Sequence, residues 1–307
     1  MPIRSIHDVP APAKLNLFLH VTGRRDDGYH LIDSLIVPID WCDYLHFERR
    51  TDGRLARHDL GPALPADDLC LRAARALQEA ASATLGADIS VDKRVPWGAG
   101  LGGGSSDAAS TLLALNRLWN LDWPLERLLP IGLALGADVP FFLGGTPARV
   151  RGIGEQLEPV ELAPAWFAVV KPAAGLETRA IFASPRLAAG IEADRIAGFS
   201  KAARRPLDGP ATLEETEPQL AEGFGRNDLQ PSAEDLCPDV LRAVARLHAL
   251  FGNSRMTGSG SAVFARAGSA AEGPAADLPG DWPAGWSSRM CRSLERHPLA
   301  GWARRGG

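Results

Sequence analysis

Five glycines fall between Gly98 and Gly104, inside the run Pro96, Trp97, Gly98, Ala99, Gly100, Leu101, Gly102, Gly103, Gly104, Ser105 and Ser106. Glycine can adopt positive φ and so turn successive backbone N–H groups into one concavity. When a helix follows at once, its unpaired N–H groups and the positive end of its dipole add to the same site. The chemistry this implies is the holding of phosphate. A flexible glycine-serine linker is the other reading, but a linker would not be fused to a strand on one side and an amphipathic helix on the other.

Two further residues stand out by isolation. Asp138 is the only charge between Arg127 and Arg149, and it sits among Gly136, Ala137, Val139, Pro140, Phe141 and Phe142. A carboxylate in such surroundings is costly to desolvate unless a cation or several donors face it. It could also be a turn or N-cap residue. Lys14 is the sole formal charge between Asp8 and Arg24, in a chain with four lysines and 29 arginines. Taken alone it could be a solvated edge residue. Together with the loop, the two supply a base, a cation and phosphate donors, which is what phosphoryl transfer asks of a protein. Tyr29 and His30 follow a turn and could equally cap a surface loop.

Other motifs are absent or weak. There is no Gly-x-x-x-x-Gly-Lys-Ser/Thr. Gly98, Gly100 and Gly103 fit GxGxxG with Asp122 downstream, yet that acid follows a helical pattern instead of ending a second strand, as dinucleotide binding needs. The histidines show no metal-ligand spacing, and Gly258-Ser259-Gly260 lacks the surroundings of a nucleophile elbow. No acidic metal ligand can be named.

These residues need elements to place them. From 13 to 21 the chain alternates, with Leu15, Leu17, Leu19 and Val21 on one face and Lys14, Asn16, Phe18 and His20 on the other, which predicts a strand with a mostly polar second face. Arg24 to Gly28 reads as a turn. Asp67 and Asp68 open a helix over about 68–83. A strand is expected over 89–95, and a helix from Ala108 to Leu121. Later signals are a strand over 165–170, a polar proline-rich stretch over 185–220, a helix over 236–250, and a glycine turn at 258–261 running into a strand over 262–265. The order of elements is α/β or α+β, with a boundary near 155.

The 307 residues are 45% hydrophobic and 23% charged, ordinary for a folded protein and too many for one small core. A net charge of −4 leaves no broad cationic face for nucleic acid. The most apolar stretch, 128–148, is broken by Pro130, Asp138 and Pro140, so no membrane span is expected. Four scattered cysteines and no signal-peptide pattern predict free thiols in a cytoplasmic protein. Nothing in the sequence speaks to oligomeric state.

In one chain and in this order occur Pro12-Ala13-Lys14-Leu15-Asn16-Leu17, Asp27-Gly28-Tyr29-His30, the loop from Pro96 to Ser106, Gly136-Ala137-Asp138-Val139-Pro140-Phe141-Phe142 and Gly258-Ser259-Gly260-Ser261. Together they resemble the superfamily of galactokinases, homoserine kinases, mevalonate kinases and phosphomevalonate kinases (GHMP), and within it the family that phosphorylates 4-diphosphocytidyl-2-C-methyl-D-erythritol. The resemblance covers most of residues 10–266.

It implies an α+β kinase of two domains, an ATP-binding domain over 1–155 and a second over 156–307 that completes the substrate site, with the active site in the cleft between them. It implies Asp138 as general base and Lys14 as the group that positions and polarises the hydroxyl. The loop from Pro96 to Ser106 would wrap the phosphates of ATP, with Leu69 and Lys93 near the adenine. Asn16, Tyr29, His30, Thr178 and Phe182 would bind the cytidine substrate. Mg²⁺ is expected with ATP, with Ser105 or Ser106 as possible ligands.

Trp97, Ala99, Asp68 and Asp107 depart from the family's usual residues. Asp107 would repel phosphates unless it caps the helix and points away. The competing classes are a sister kinase for mevalonate or homoserine, a dinucleotide-dependent oxidoreductase, and a nucleotide sensor without turnover.

Overall fold

The computed structural model describes residues 2–187 and 225–303. The architecture is α+β, as expected, in two sheets. Strand β1 (Ser5–Arg24) and β2 (His30–Arg50) form a long antiparallel ribbon joined by the turn at 25–29. Both faces of β1 are buried from Ala11 to Val21. The sequence predicts a polar face here; the structure closes that face too, so Lys14 and Asn16 are enclosed polar groups that must have partners.

Further along the first sheet come β3 (Leu55–Asp59), β4 (Gly86–Asp92), β5 (Ala148–Gly152) and β6 (Gln156–Pro159), in the order β3-β4-β2-β5-β6 with β1 alongside β2. Only β3 and β4 run parallel among its pairings, so no dinucleotide-binding βαβ unit surrounds the glycine loop.

Helices α1 (Leu69–Ala80), α2 (Gly103–Leu118), α3 (Leu125–Leu135) and α4 (Val139–Gly144) cover one side of this sheet. α1 starts where the acids predict, because Asp68 caps it by accepting from Leu71 N at 3.1 Å. α2 starts five residues earlier than its apolar spacing suggests. Its first turn has small residues and no hydrophobic stripe, so periodicity misses it.

The second sheet, in the order β10-β7-β9-β8, is antiparallel: β7 (Ala165–Lys171), β8 (Arg255–Met256), β9 (Val263–Ser269) and β10 (Ser287–Arg292). α5 (Thr178–Phe182), α6 (Gln230–Leu236) and α7 (Pro238–Phe251) accompany it. The expected strands over 165–170 and 262–265 and the helix over 236–250 are found; most of the 185–220 stretch lies outside the described residues. Burial of Ala13, Leu15, Leu17 and Phe18 against Phe167, Val169 and Phe264 fuses the two sheets through a shared core. A leucine or phenylalanine so buried contributes about 2 kcal/mol or more.

After β10 the chain returns to the first sheet. Ser293 N donates to Ala165 O, Leu294 N to Pro38 O and His297 N to Gly145 O, at 2.9, 2.8 and 2.7 Å. Leu299 and Ala303 then enter the core beneath the first sheet. All four cysteines are free and buried. No helix of the described residues is long and apolar enough to cross a membrane.

Candidate active site

The seam between the sheets opens into a cleft of about 1300 Å³. β1 brings Lys14 to its floor. Lys14 N donates to Leu101 O at 2.9 Å, which stitches the strand to the glycine loop. Its ammonium donates to Asn16 Oδ1 and stands 3.9 Å from Asp138 Oδ2. Burial lowers the Lys14 pKa, and the Asp138 charge opposes that shift. Asn16 is held in turn: its N donates to Thr257 Oγ1, and its Nδ2 to Ser34 Oγ, both at 2.8 Å.

Asp138 occupies the N-cap position of α4, but its side chain makes no capping bond. The capping reading of this residue is thereby set aside. The Asp138 side chain is 38% exposed, against 4% for that of Lys14, so the acid stands open to the cleft while the cation lies deep at its floor.

Gly98, Gly100 and Gly102 have φ of 56°, 71° and 71°, in the left-handed region. Gly102 is the N-cap of α2, so the N–H groups of Gly103, Gly104 and Ser105 in the first turn have no partner within the helix, while Ser106 N donates to Gly102 O at 3.0 Å. A second glycine loop backs the first. Ser261 N donates to Gly98 O at 3.2 Å and Ala262 N to Ala99 O at 3.0 Å. A Cβ on Gly100 would lie 2.3 Å from Thr257 O, and one on Gly258 would lie 2.8 Å from Gly100 O. The loops thus meet backbone to backbone. Asn227 clamps the second by donating to Met256 O at 2.9 Å and to Gly258 O at 2.8 Å.

Lys93 and Asp107 have a different arrangement from the one expected. Asp107 does not cap α2; its Oδ2 accepts from Lys93 Nζ at 2.6 Å, and Lys93 also donates to Asp43. Asp43 Oδ1 accepts from Arg94 N and Val95 N at 2.6 and 2.7 Å. Two buried carboxylates therefore share one ammonium beneath the loop. Burial pushes the Asp107 carboxyl up, against the pull of Lys93. For Lys93, burial acts downward but the pull of Asp107 and Asp43 outweighs it. Asp68 is also neutralised, by Arg57 at 2.9 Å.

At the other end, His30 and Phe182 lie ring against ring, with centroids 5.0 Å apart and planes 31° apart. Burial, with Arg24 second, lowers the His30 pKa, which favours the neutral ring, a form that can both donate and accept. Tyr29 is 62% exposed beside them. Thr178 Oγ1 and Ser259 Oγ are hydrogen-bonded at 2.8 Å, linking α5 to the second glycine loop.

All the candidate residues border the cleft except Ser106, which is buried with its hydroxyl unpartnered. Leu69 and Trp97 belong to this same lining, with Leu69 Cδ1 3.5 Å from where a Cβ on Gly104 would lie. Asp43, Ser34, Thr257 and Asn227 were not picked out from the sequence. Asp43 lacks the isolation that marks Asp138, since Asp40 lies three residues before it, so the sequence carries no such signal for it. Among the described residues no cluster of three His, Cys, Asp or Glu side chains could hold a metal. What the cleft wall does supply is the Ser105 hydroxyl and the Asp138 carboxylate, which fits Mg²⁺ carried mainly by nucleotide phosphates and water.

Comparison with known proteins identifies the family. Residues 68–146 match the GHMP kinases N terminal domain, and 213–276 match the GHMP kinases C terminal domain. A 4-diphosphocytidyl-2-C-methyl-D-erythritol kinase of Methylibium petroleiphilum is 59% identical over 99% of this chain and 100% of its own length. The enzyme of that name from Verminephrobacter eiseniae is 55% identical over 98% of this chain and 99% of its own length. A crystal structure of 4-(cytidine 5'-diphospho)-2C-methyl-D-erythritol kinase is 38% identical, with a TM-score of 0.65 over 84% of this chain and 89% of that one. Homoserine kinase from Cytophaga hutchinsonii shares the fold at 17% identity, with a TM-score of 0.65 over 96% of both chains.

Proposed function

We propose that this chain, which belongs to the GHMP kinases and within them to the 4-diphosphocytidyl-2-C-methyl-D-erythritol kinase family, transfers the γ-phosphoryl group of ATP to the 2-hydroxyl of that compound. The reaction belongs to the non-mevalonate route to isoprenoid precursors.

The observation that carries the chemistry is the 3.9 Å between Lys14 Nζ and Asp138 Oδ2. A hydroxyl oxygen can sit between them, about 2.8 Å from each. Asp138 then takes the hydroxyl proton as the new O–P bond forms, and the bond from γ-phosphorus to the bridging oxygen breaks to release ADP. Lys14 holds the hydroxyl oxygen in line and keeps the neighbouring carboxylate oriented. Asn16 fixes Lys14. Backbone N–H groups from the glycine loop and the first turn of α2 take the phosphate oxygens, and Leu69, Lys93 and Trp97 border the nucleotide's end of the cleft. Mg²⁺, held by the nucleotide with Ser105, would neutralise charge on the phosphates.

For specificity, Tyr29, His30, Thr178 and Phe182 offer a pyrimidine ring faces, a neutral imidazole and a hydroxyl. Binding energy gained on that remote base serves to place the hydroxyl. The test is ADP release with the cytidine conjugate against mevalonate, homoserine and galactose. Turnover of the conjugate alone is expected; comparable turnover of any of the other three, or none of the conjugate, would overturn the substrate assignment.

A further inference from the structure

The acceptor proposed above carries a diphosphate between its base and its reacting alcohol, and ATP brings a second polyphosphate into the same cleft. Yet the cleft's cations are largely committed. Among the described residues that line it, Lys14 is taken by Asn16 and Asp138, and Lys93 by Asp43 and Asp107. For His30, burial favours the neutral ring. The acids at the rim are matched as well, Asp27 by Arg25 at 2.7 Å and Asp67 by Arg75 at 2.6 Å. Arg179 is the exception: it borders the cleft, is exposed, and has no hydrogen-bonding or ionic side-chain partner among the described residues.

Its placement is fixed by its neighbours. On α5, Thr178 is tied to Ser259 at 2.8 Å and the Phe182 ring lies tilted against His30 with centroids 5.0 Å apart, so the backbone of Arg179 is carried between the base-binding end and the second glycine loop. A substrate reaching from His30 and Phe182 to Lys14 and Asp138 must lay its diphosphate across that interval. A guanidinium presents a planar fork that matches phosphate oxygens two at a time, on a side chain long enough to fold over them.

We propose that Arg179 binds the diphosphate of the acceptor substrate and makes the enzyme selective for a diphosphate-linked alcohol. The proposal rests on the acceptor assignment above. Arg179→Gln should raise KM for the cytidine conjugate about 10-fold or more, as expected for losing charge-assisted hydrogen bonds, with kcat and the KM for ATP within about twofold. Arg179→Lys should recover part of the loss. In competition assays, inhibition by cytidine diphosphate should weaken in Arg179→Gln while inhibition by cytidine stays the same, a contrast that a merely structural role would not produce. An unchanged KM for the conjugate, or a rise in the KM for ATP instead, would overturn the role of Arg179. Parent enzyme that turns over no conjugate at all would instead overturn the acceptor assignment, and this inference with it.

Discussion

Lys14 Nζ and Asp138 Oδ2 are 3.9 Å apart, close enough for their charges to interact and too far for a hydrogen bond. The gap accommodates a third atom. If that atom is the substrate oxygen, the two residues act as one unit. Asp138→Asn should lower kcat by roughly 10² to 10⁴ with ATP affinity nearly intact. Lys14→Met should cost a similar factor, and the double variant much less than the product of the two. Strict additivity in single-turnover rates would falsify the unit.

The glycine loop makes separate demands on its residues. Gly100 has φ of 71° and no room for a Cβ, whereas a Cβ on Gly104 would meet only Leu69 Cδ1, at an ordinary 3.5 Å. Gly100→Ala should therefore lower Tm sharply. Gly104→Ala, within a helix, should hold or raise Tm and weaken ATP binding, because the methyl group borders the cleft where phosphate would lie. Gly103→Val should weaken ATP binding through crowding of Val95 and Lys93, not through a left-handed backbone, since Gly103 lies in the helix. Thermal melts paired with ATP titrations separate the cases; equal Tm for Gly100→Ala and parent would contradict the packing argument.

Removing an aromatic face at the substrate end should read out differently. Phe182→Ala deletes the ring against His30, and Tyr29→Ala an exposed ring on the cleft wall. Each should raise KM for the cytidine conjugate, by roughly 10-fold for a stacking contact of 1–3 kcal/mol, with little change in KM for ATP. A fall in kcat alone would place these rings elsewhere in the cycle.

His297 predicts a pH dependence of stability. It is buried, its Nδ1 accepts from Leu299 N at 3.0 Å, and burial lowers its pKa from 6.5 to about 4. The unfolded chain thus binds a proton between those values that the folded chain refuses. Stability from this group is complete above pH 6.5, is lost as pH falls toward 4, and changes no further below; the whole amounts to roughly 3 kcal/mol. Denaturant unfolding at pH 7, 5.5 and 4 should show the slope in the parent and a shallower one in His297→Phe. Parallel slopes would exclude His297 as its source.

Much of the site was legible because its residues break local patterns. Lys14 and Asp138 are charges in apolar runs, and five glycines beside two serines have few other uses. What could not be read was which partner each residue takes. The resemblance implies Lys93 near the adenine, but that its ammonium is held between Asp43 and Asp107, a contact across 50 residues on one side and 14 on the other, is written in neither segment. The Asp107 departure becomes intelligible only with that cation in view. The fold shows the same limit. β1 is recognisable by alternation, but its polar face is covered by segments far along the chain, such as Gly258, where an added Cβ would lie 3.1 Å from Lys14 Nζ. β2 carries apolar residues on both faces and gave no period to detect.

Leu299 and Ala303 complete a core whose other buried members, among the described residues, lie between Val9 and Val150. The order of synthesis separates them. At about 5 to 20 residues per second, a ribosome that has finished Val150 needs roughly 7 to 30 s more to deliver Leu299. For that interval the helices beneath the first sheet emerge with their seam uncovered, and the second sheet, whose β10 ends at Arg292, is itself completed only near its end. The nascent chain is therefore most exposed to chaperones and proteases in its earlier half, and folding there closes last.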